Sequence, residues 1–266
     1  MPPQNATPPE HFPTLKATCT PAAKITGAEG GAARLQIPGG PQGIYRLAQW
    51  DDYARLPRRA FAWQPPLSLR AELRASARDL PGTWGIGLWN DPFSLTLGMG
   101  GGARRFPVLP QCAWFFFASP PNFLSLYDDQ PAYGALASVW QSRPLPTPLL
   151  ALFTAPALPL LTYAPSARLL RRVVRQFVRQ SACSLTHNPC DWHTYEIIWR
   201  AHNTQLRIDG EVVCDTSLSP RAPLGFVLWL DNQYMAWQPN GKLSAGTLAS
   251  AAEGWLEVRN LFLQKT

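Results

Sequence analysis

Apolar and polar positions alternate along most of this chain in short runs, each cut off by glycine, proline or a small polar residue. That period of two predicts strands at 33–37, 43–47, 67–75 and 83–89. The sharpest local pattern is 192–199 (WHTYEIIW), rich in aromatic and β-branched residues, then 205–208, Asp209-Gly210 and 211–214. Asp-Gly suits the two positive φ angles of a type I′ turn, so these runs predict a hairpin. Further strands are expected at 111–119, 224–230 and 255–263, and no internal repeat is visible.

One stretch departs from this pattern. Residues 144–165 are apolar throughout, but Pro144, Pro146, Pro148, Pro156 and Pro159 deny them a continuous membrane-spanning helix. Directly after, Leu170, Val173, Val174 and Phe177 fall at helical spacing among Arg168, Arg171, Arg172, Arg175 and Arg179. A basic amphipathic helix over 166–180, capped by Ser166, is predicted, with its arginine face solvated and its apolar face on a sheet. A membrane-surface or partner helix is the alternative. The domain organisation expected is a loose leader at 1–20 and one domain over 21–266, with 144–182 a Pro-rich and helical insertion.

Composition narrows the class. With 46% hydrophobic and 15% charged residues, 11 Trp and 12 Phe, the chain holds ample material for a core, and global disorder is excluded. Its 28 prolines and 19 glycines argue against a bundle of long helices. The net charge of +7 sets 24 Lys and Arg against 17 Asp and Glu, and that basic density is an ordinary one that predicts no nucleic-acid partner. Five scattered cysteines without a CxxC pair argue against a zinc site and a disulfide framework, and the first thirteen residues carry no secretory pattern. A cytoplasmic setting is the expectation. His11, His187, His193 and His202 lack metal spacing, and Gly98, Gly100, Gly101 and Gly102 lack the Lys-Ser/Thr of a phosphate loop. Neither metal nor cofactor is expected. Arg104 and Arg105 beside those glycines read as a solvated pair.

Four stretches resemble the concanavalin A-like jelly roll of the laminarinase and β-glucanase type, glycoside hydrolase family 16. These are LRAELRA (69–75), GTWGIGLW (82–89), DWHTYEIIWRAHNTQLRIDGEVV (191–213) and WLEVRNLFL (255–263). The third is similar to the family's Phe-His-x-Tyr-x-x-x-Trp strand and Val-Asp-Gly hairpin, and His193 there matches a framework histidine. The resemblance implies an all-β sandwich of two antiparallel sheets with a concave groove and one short basic helix. It also implies that catalytic carboxylates, as Glu-x-Asp-x-x-Glu, belong on the strand matching 111–119 (QCAWFFFAS). Trp114, Phe116 and Ser119 stand at those places, and no Asp or Glu occurs between Asp91 and Asp128. A retaining glycosidase needs two carboxylates about 5 Å apart, so hydrolysis of β-glucan is not expected.

The expected function is therefore non-hydrolytic binding of a carbohydrate or an amphipathic small molecule in an aromatic-lined groove. Strand alternation puts Trp89 and Asp91 on one face with Gly85 and Gly87, whose missing side chains leave room, and pairs Trp229 with Asp231. With Trp114, Phe116, Tyr234 and Trp237 these form the candidate ligand site, although an aromatic run such as 114–117 also fits a buried strand. Two other readings stay open. An enzyme of unknown reaction, a divergent glycosidase included, would use Asp91 and Asp231, or the Asp128-Asp129 pair, as acid and base. A peripheral membrane or assembly protein would act through the basic helix.

Overall fold

A computed structural model describes residues 15–92, 105, 108–144 and 160–265. The N-terminal part of the leader, the glycine-rich loop with Arg104, and residues 145–159 of the Pro-rich run lie outside the described residues. The strands are β1 (Lys16–Cys19), β2 (Lys24–Gly27), β3 (Ala33–Ile37), β4 (Leu47–Asp51), β5 (Leu67–Ala75), β6 (Thr83–Trp89), β7 (Cys112–Ala118) and β8 (Gly134–Ser142). They continue with β9 (Val178–Ser184), β10 (His193–Trp199), β11 (Thr204–Ile208), β12 (Glu211–Thr216), β13 (Gly225–Asp231), β14 (Gln233–Trp237), β15 (Leu243–Thr247) and β16 (Gly254–Lys265). One α-helix, α1 (Ala164–Arg175), is found among the described residues.

Two seven-stranded antiparallel sheets pack face to face, the jelly-roll sandwich the sequence predicts. The first has the order β1-β4-β13-β6-β7-β8-β9, the second β12-β11-β10-β5-β16-β3-β2, and β14 and β15 form a separate hairpin. In β5 every second residue from Leu67 to Ala75 is buried, and Tyr195, Ile197 and Trp199 of β10 point into the same core. Such strands have one wet face, which is why their alternation is visible in the sequence. The predicted hairpin forms between β11 and β12, with φ of 52° at Asp209 and 85° at Gly210. The Asp209 carboxylate accepts from the backbone N–H of Thr194 (2.8 Å) and contacts His193 Nδ1 (2.6 Å), making His193 a framework residue that ties β10 to the turn.

Several boundaries need correction. Lys16–Cys19, assigned to the loose leader, is an edge strand paired with β4. The strand expected at 43–47 begins only at Leu47: Gly43 sits at φ 91°, and Arg46 donates its backbone N–H to the Asn232 side chain instead of to a neighbouring strand. The helix starts two residues before Ser166, whose hydroxyl donates back to the Leu160 and Tyr163 carbonyls rather than capping. It ends at Arg175 because 178–184 extends the first sheet as β9, so Arg179 belongs to a strand and 178–182 to the sandwich rather than to an insertion. The arginine face is not uniformly solvated. Arg171 is 3% exposed and reaches Asp128 Oδ1 (2.5 Å) and the Ser125 carbonyl (2.9 Å), whereas Leu169 and Val173 face outward.

Candidate functional site

The central strands β6, β7 and β13 of the first sheet are buried on both faces. One face contributes Ile86, Leu88, Phe115, Phe226 and Leu228 to the core between the sheets. The outer face carries a second apolar cluster that includes Tyr53, Phe61, Trp114, Phe116, Trp140 and Trp229, with Trp89 and Trp237 packed against it half-buried. Of the residues grouped from the sequence, Trp89, Trp114, Phe116, Trp229 and Trp237 meet in this cluster. Tyr234 does not join them: its ring lies over Gly246 on the β14–β15 hairpin.

Register explains how the rings meet. Gly85 lies opposite Phe116 and Trp229, and Gly87 lies opposite Trp114 and Val227. A Cβ added at Gly85 would stand 2.6 Å from the Trp229 ring, and one at Gly87 would stand 2.4 Å from Trp114 Cβ. The room beside β6 that the glycines provide is therefore filled by the protein's own tryptophans. Gly225 repeats the device under Tyr53. Trp89 and Trp229 lie with parallel planes (2°) and centroids 6.4 Å apart, and Trp114 sits 5.8 Å from the one and 5.7 Å from the other. Leu124, Leu126, Tyr127 and Val174 cover one end of this face, Tyr53 and Phe61 the other. Trp114, Phe116 and Trp229 retain only 7–8% exposure. They form a second core, and the surface open to a ligand falls to Trp89 and Trp237. The indole N–H of Trp237 is buried without a hydrogen-bond partner.

The carboxylates flanking this face are already engaged. Asp91 is ion-paired with Arg105, whose guanidinium also donates to the carbonyls of Tyr53 (2.7 Å) and Leu56 (2.6 Å). Arg105 is thus a largely covered pin rather than a solvated charge. Burial raises the Asp91 carboxyl, with Arg105 and Arg58 opposing the rise. At the other end, the Trp229 indole N–H donates to Thr83 Oγ1 (3.0 Å), and the Thr83 hydroxyl donates to Asp231 Oδ1 (2.7 Å). Tyr45 OH and the Gln233 N–H complete the Asp231 shell at 3.3 and 3.2 Å. Burial pushes Asp231 up to about 6 against these bonds.

Asp231 lies opposite Thr83 at the start of β6, whereas Asp91 follows its end at Trp89. Six rises of about 3.3 Å separate those ends, so the two carboxyls stand roughly 20 Å apart. They do not form the acid/base pair considered from the sequence. The Asp128 carboxylate is held by Arg171, with Arg175 at 3.9 Å. Among the described residues, no group of three or more His, Cys, Asp or Glu side chains is placed to hold a metal ion. The sequence reading missed Tyr53, Phe61 and Trp140. For Tyr53 the available signal is Gly225, whose missing side chain makes room for its ring; no local pattern marks Phe61 or Trp140.

No protein-family model matches the chain, and no curated protein matches it in sequence. Among solved structures it is similar to the Bacillus licheniformis β-glucanase, with a TM-score of 0.50 at 7% identity over 99% of this chain and 96% of that one. That likeness shows the fold, a jelly-roll sandwich of two antiparallel sheets. A Crh5 transglycosylase in complex with NAG matches with a TM-score of 0.47 at 11% identity, over 99% of this chain and 83% of that one. A sialidase matches with a TM-score of 0.44 at 11% identity over 95% of this chain, which spans 17% of the sialidase's length.

Proposed function

We propose that this protein binds a carbohydrate at the aromatic outer face of its first sheet and does not hydrolyse it. One observation carries the reading: the strand on which the family-16 resemblance places catalytic carboxyls is β7, and it presents Trp114 and Phe116 in a packed aromatic cluster. The nearby carboxylates are paired and far apart, whereas double displacement needs two about 5 Å apart. Ring stacking needs no carboxylate, and the half-buried Trp89 and Trp237 at the edge of the cluster supply flat surfaces for a sugar ring. The jelly roll of a β-glucanase is consistent support. An amphipathic small molecule is the second reading, favoured by the scarcity of free polar groups on the same face.

The test is calorimetric titration with laminari-oligosaccharides, mixed-linkage gluco-oligosaccharides and octyl glucoside, together with a reducing-end assay on laminarin. Saturable binding of an oligosaccharide, weakened about tenfold in Trp89→Ala through loss of one stacking surface, supports the proposal. Binding of octyl glucoside alone selects the amphipathic reading. Release of reducing ends by the unmodified protein, or indifference to all three probes, refutes it.

A further inference from the structure

Helix α1 follows its amphipathic pattern only in part: Val174 packs on the aromatic cluster and Arg168 and Arg172 are exposed, but two positions are exchanged. Arg171 is turned inward onto Asp128 and Ser125, and its guanidinium lies over the Phe123 ring. The side turned to solvent carries Leu169 (61% exposed) and Val173 (41%), one helical turn apart. At the start of the helix Tyr163 is 66% and Leu160 50% exposed, and the single Ser166 hydroxyl proton is shared between their backbone carbonyls. The tip of the β14–β15 hairpin adjoins them: Gly241 packs so closely on Ala164 that an added Cβ would stand 2.1 Å from its carbonyl oxygen. That contact brings Lys242 and the exposed Leu243 beside the helix.

Basic groups are interspersed with these apolar ones. Arg168, Arg172 and Lys242 are exposed and have no ion-pair partner among the described residues, while the neighbouring Asp128 is engaged by Arg171 and Arg175. Asp129 is the other exposed acid of that turn. At the end of the helix, Tyr127, Arg172, Arg175 and Gln176 line a surface pocket of about 270 Å³, where the Arg175 guanidinium lies over the Tyr127 ring. Between Arg143 and Arg168 the sequence contains no charged residue.

We infer that the outward side of α1, with the hairpin tip beside it, docks on an anionic lipid membrane. Exposed single apolar side chains set among unpaired arginines on a helix lying flat on the protein fit the boundary between acyl chains and headgroups, where the apolar residues enter and the arginines meet phosphates. Arg172 and Arg175 flank the shallow surface depression at the end of the helix, where a headgroup phosphate would meet their guanidiniums. A protein partner of matching chemistry would need its own acidic, apolar surface, whereas a membrane supplies both features at once. The helix reaches the interface and does not cross it: no described helix is long and apolar enough to span.

The test is cosedimentation of the full chain with vesicles of phosphatidylcholine and with vesicles of phosphatidylcholine mixed with phosphatidylglycerol, at low and high salt. Binding to the mixed vesicles that weakens with salt is expected. Arg168→Ala and Arg172→Ala should each lower the partition coefficient about fivefold, the worth of one basic charge near the surface. Leu169→Asp should lower it about tenfold or more through lost burial and added repulsion. Because these side chains are exposed, thermal midpoints should stay at the wild-type value. Equal sedimentation with both vesicle types, or none, overturns the inference. So does a concentration-dependent dimer by sedimentation velocity that ignores vesicles, or a large fall in the thermal midpoint of Leu169→Asp with no change in vesicle binding, which would show that another part of the chain covers the patch.

Discussion

The Asp231 carboxyl provides the most direct check on the chemistry assigned to this site. It is buried, it accepts from Thr83, Gln233 and Tyr45, and burial pushes it up to about 6. In the unfolded chain it titrates near its ordinary 3.8. Protonation therefore favours the folded state. That stabilisation is complete below the unfolded value, fades as pH rises, and is gone above the folded value. A rise of about two units corresponds to about 3 kcal/mol. Asp231→Asn removes the titration while keeping the shape: Oδ1 of the amide can accept from Thr83 and Gln233, and Nδ2 can donate to the Tyr45 oxygen. Urea unfolding of both proteins between about pH 4 and about pH 8 reads the difference. The variant should gain on the wild type progressively through pH 4–6, by about 3 kcal/mol in total, and the gap should then level off. A flat difference curve would show that folding leaves the Asp231 carboxyl unshifted, and a variant that loses ground as pH rises would show that the carboxylate is stabilised in its charged form; either result refutes burial as the dominant influence on it.

Other consequences follow from the same contacts. Arg105→Met leaves Asp91 buried without its partner and should cost about 3 kcal/mol or more, read as a fall in thermal midpoint of roughly 6–12 °C; an unchanged midpoint would mean the pin is not structural. Gly87→Ala drives a Cβ into Trp114 Cβ and the Ala113 carbonyl and should destabilise by about 1–3 kcal/mol in denaturant titration, with a change in tryptophan fluorescence. His187, which contacts Tyr195 OH at 2.6 Å, is lowered to about 4, chiefly by burial and then by His193. Its contribution to stability is present above pH 6.5 and is lost as pH falls toward 4, so His187→Gln should flatten that part of the pH profile.

What the sequence makes legible follows the wetting of each strand. β5 and β10 have one face in the core and one in solvent, so their alternation gave correct limits to within a residue. The hairpin at Asp209-Gly210 was legible because positive φ at both positions selects few residue types. β8 and β9 carry no such pattern. β8 has five consecutive buried residues, Leu136 to Trp140 in register with β7 and β9, and its small Ala and Ser residues look like a loop. The early end of α1 was hidden because Phe177 and Val178 continue its apolar spacing, although Val178 is needed as the first residue of an edge strand. Arg171 departs from the expected solvent face for a reason no local pattern contains, since Asp128 and Ser125 lie more than forty residues away.

The site shows the same division. Alternation says which side of β7 Trp114 and Phe116 share, but not that Tyr53, Phe61, Leu124 and Tyr127 come from distant segments to cover that side. Once covered, the face can no longer host the carboxylates that the resemblance places there, because an unpaired carboxylate in an aromatic cluster pays its desolvation without a hydrogen-bond return. An aromatic β7 without carboxylates and a second core on its outer face are then one structural feature. Phe116→Asp tests this. It removes a ring packed 5.1 Å from Trp114 and 5.5 Å from Trp229, and leaves an acid with apolar neighbours on both. The cavity alone should cost about 3–5 kcal/mol, and the carboxyl should resist ionising at neutral pH. Thermal unfolding would show a large fall in midpoint that partly recovers as pH is lowered through the raised carboxyl value. A variant as stable as the parent at neutral pH would mean that water already reaches Phe116, that the face is an open groove, and that the second core described for it is wrong.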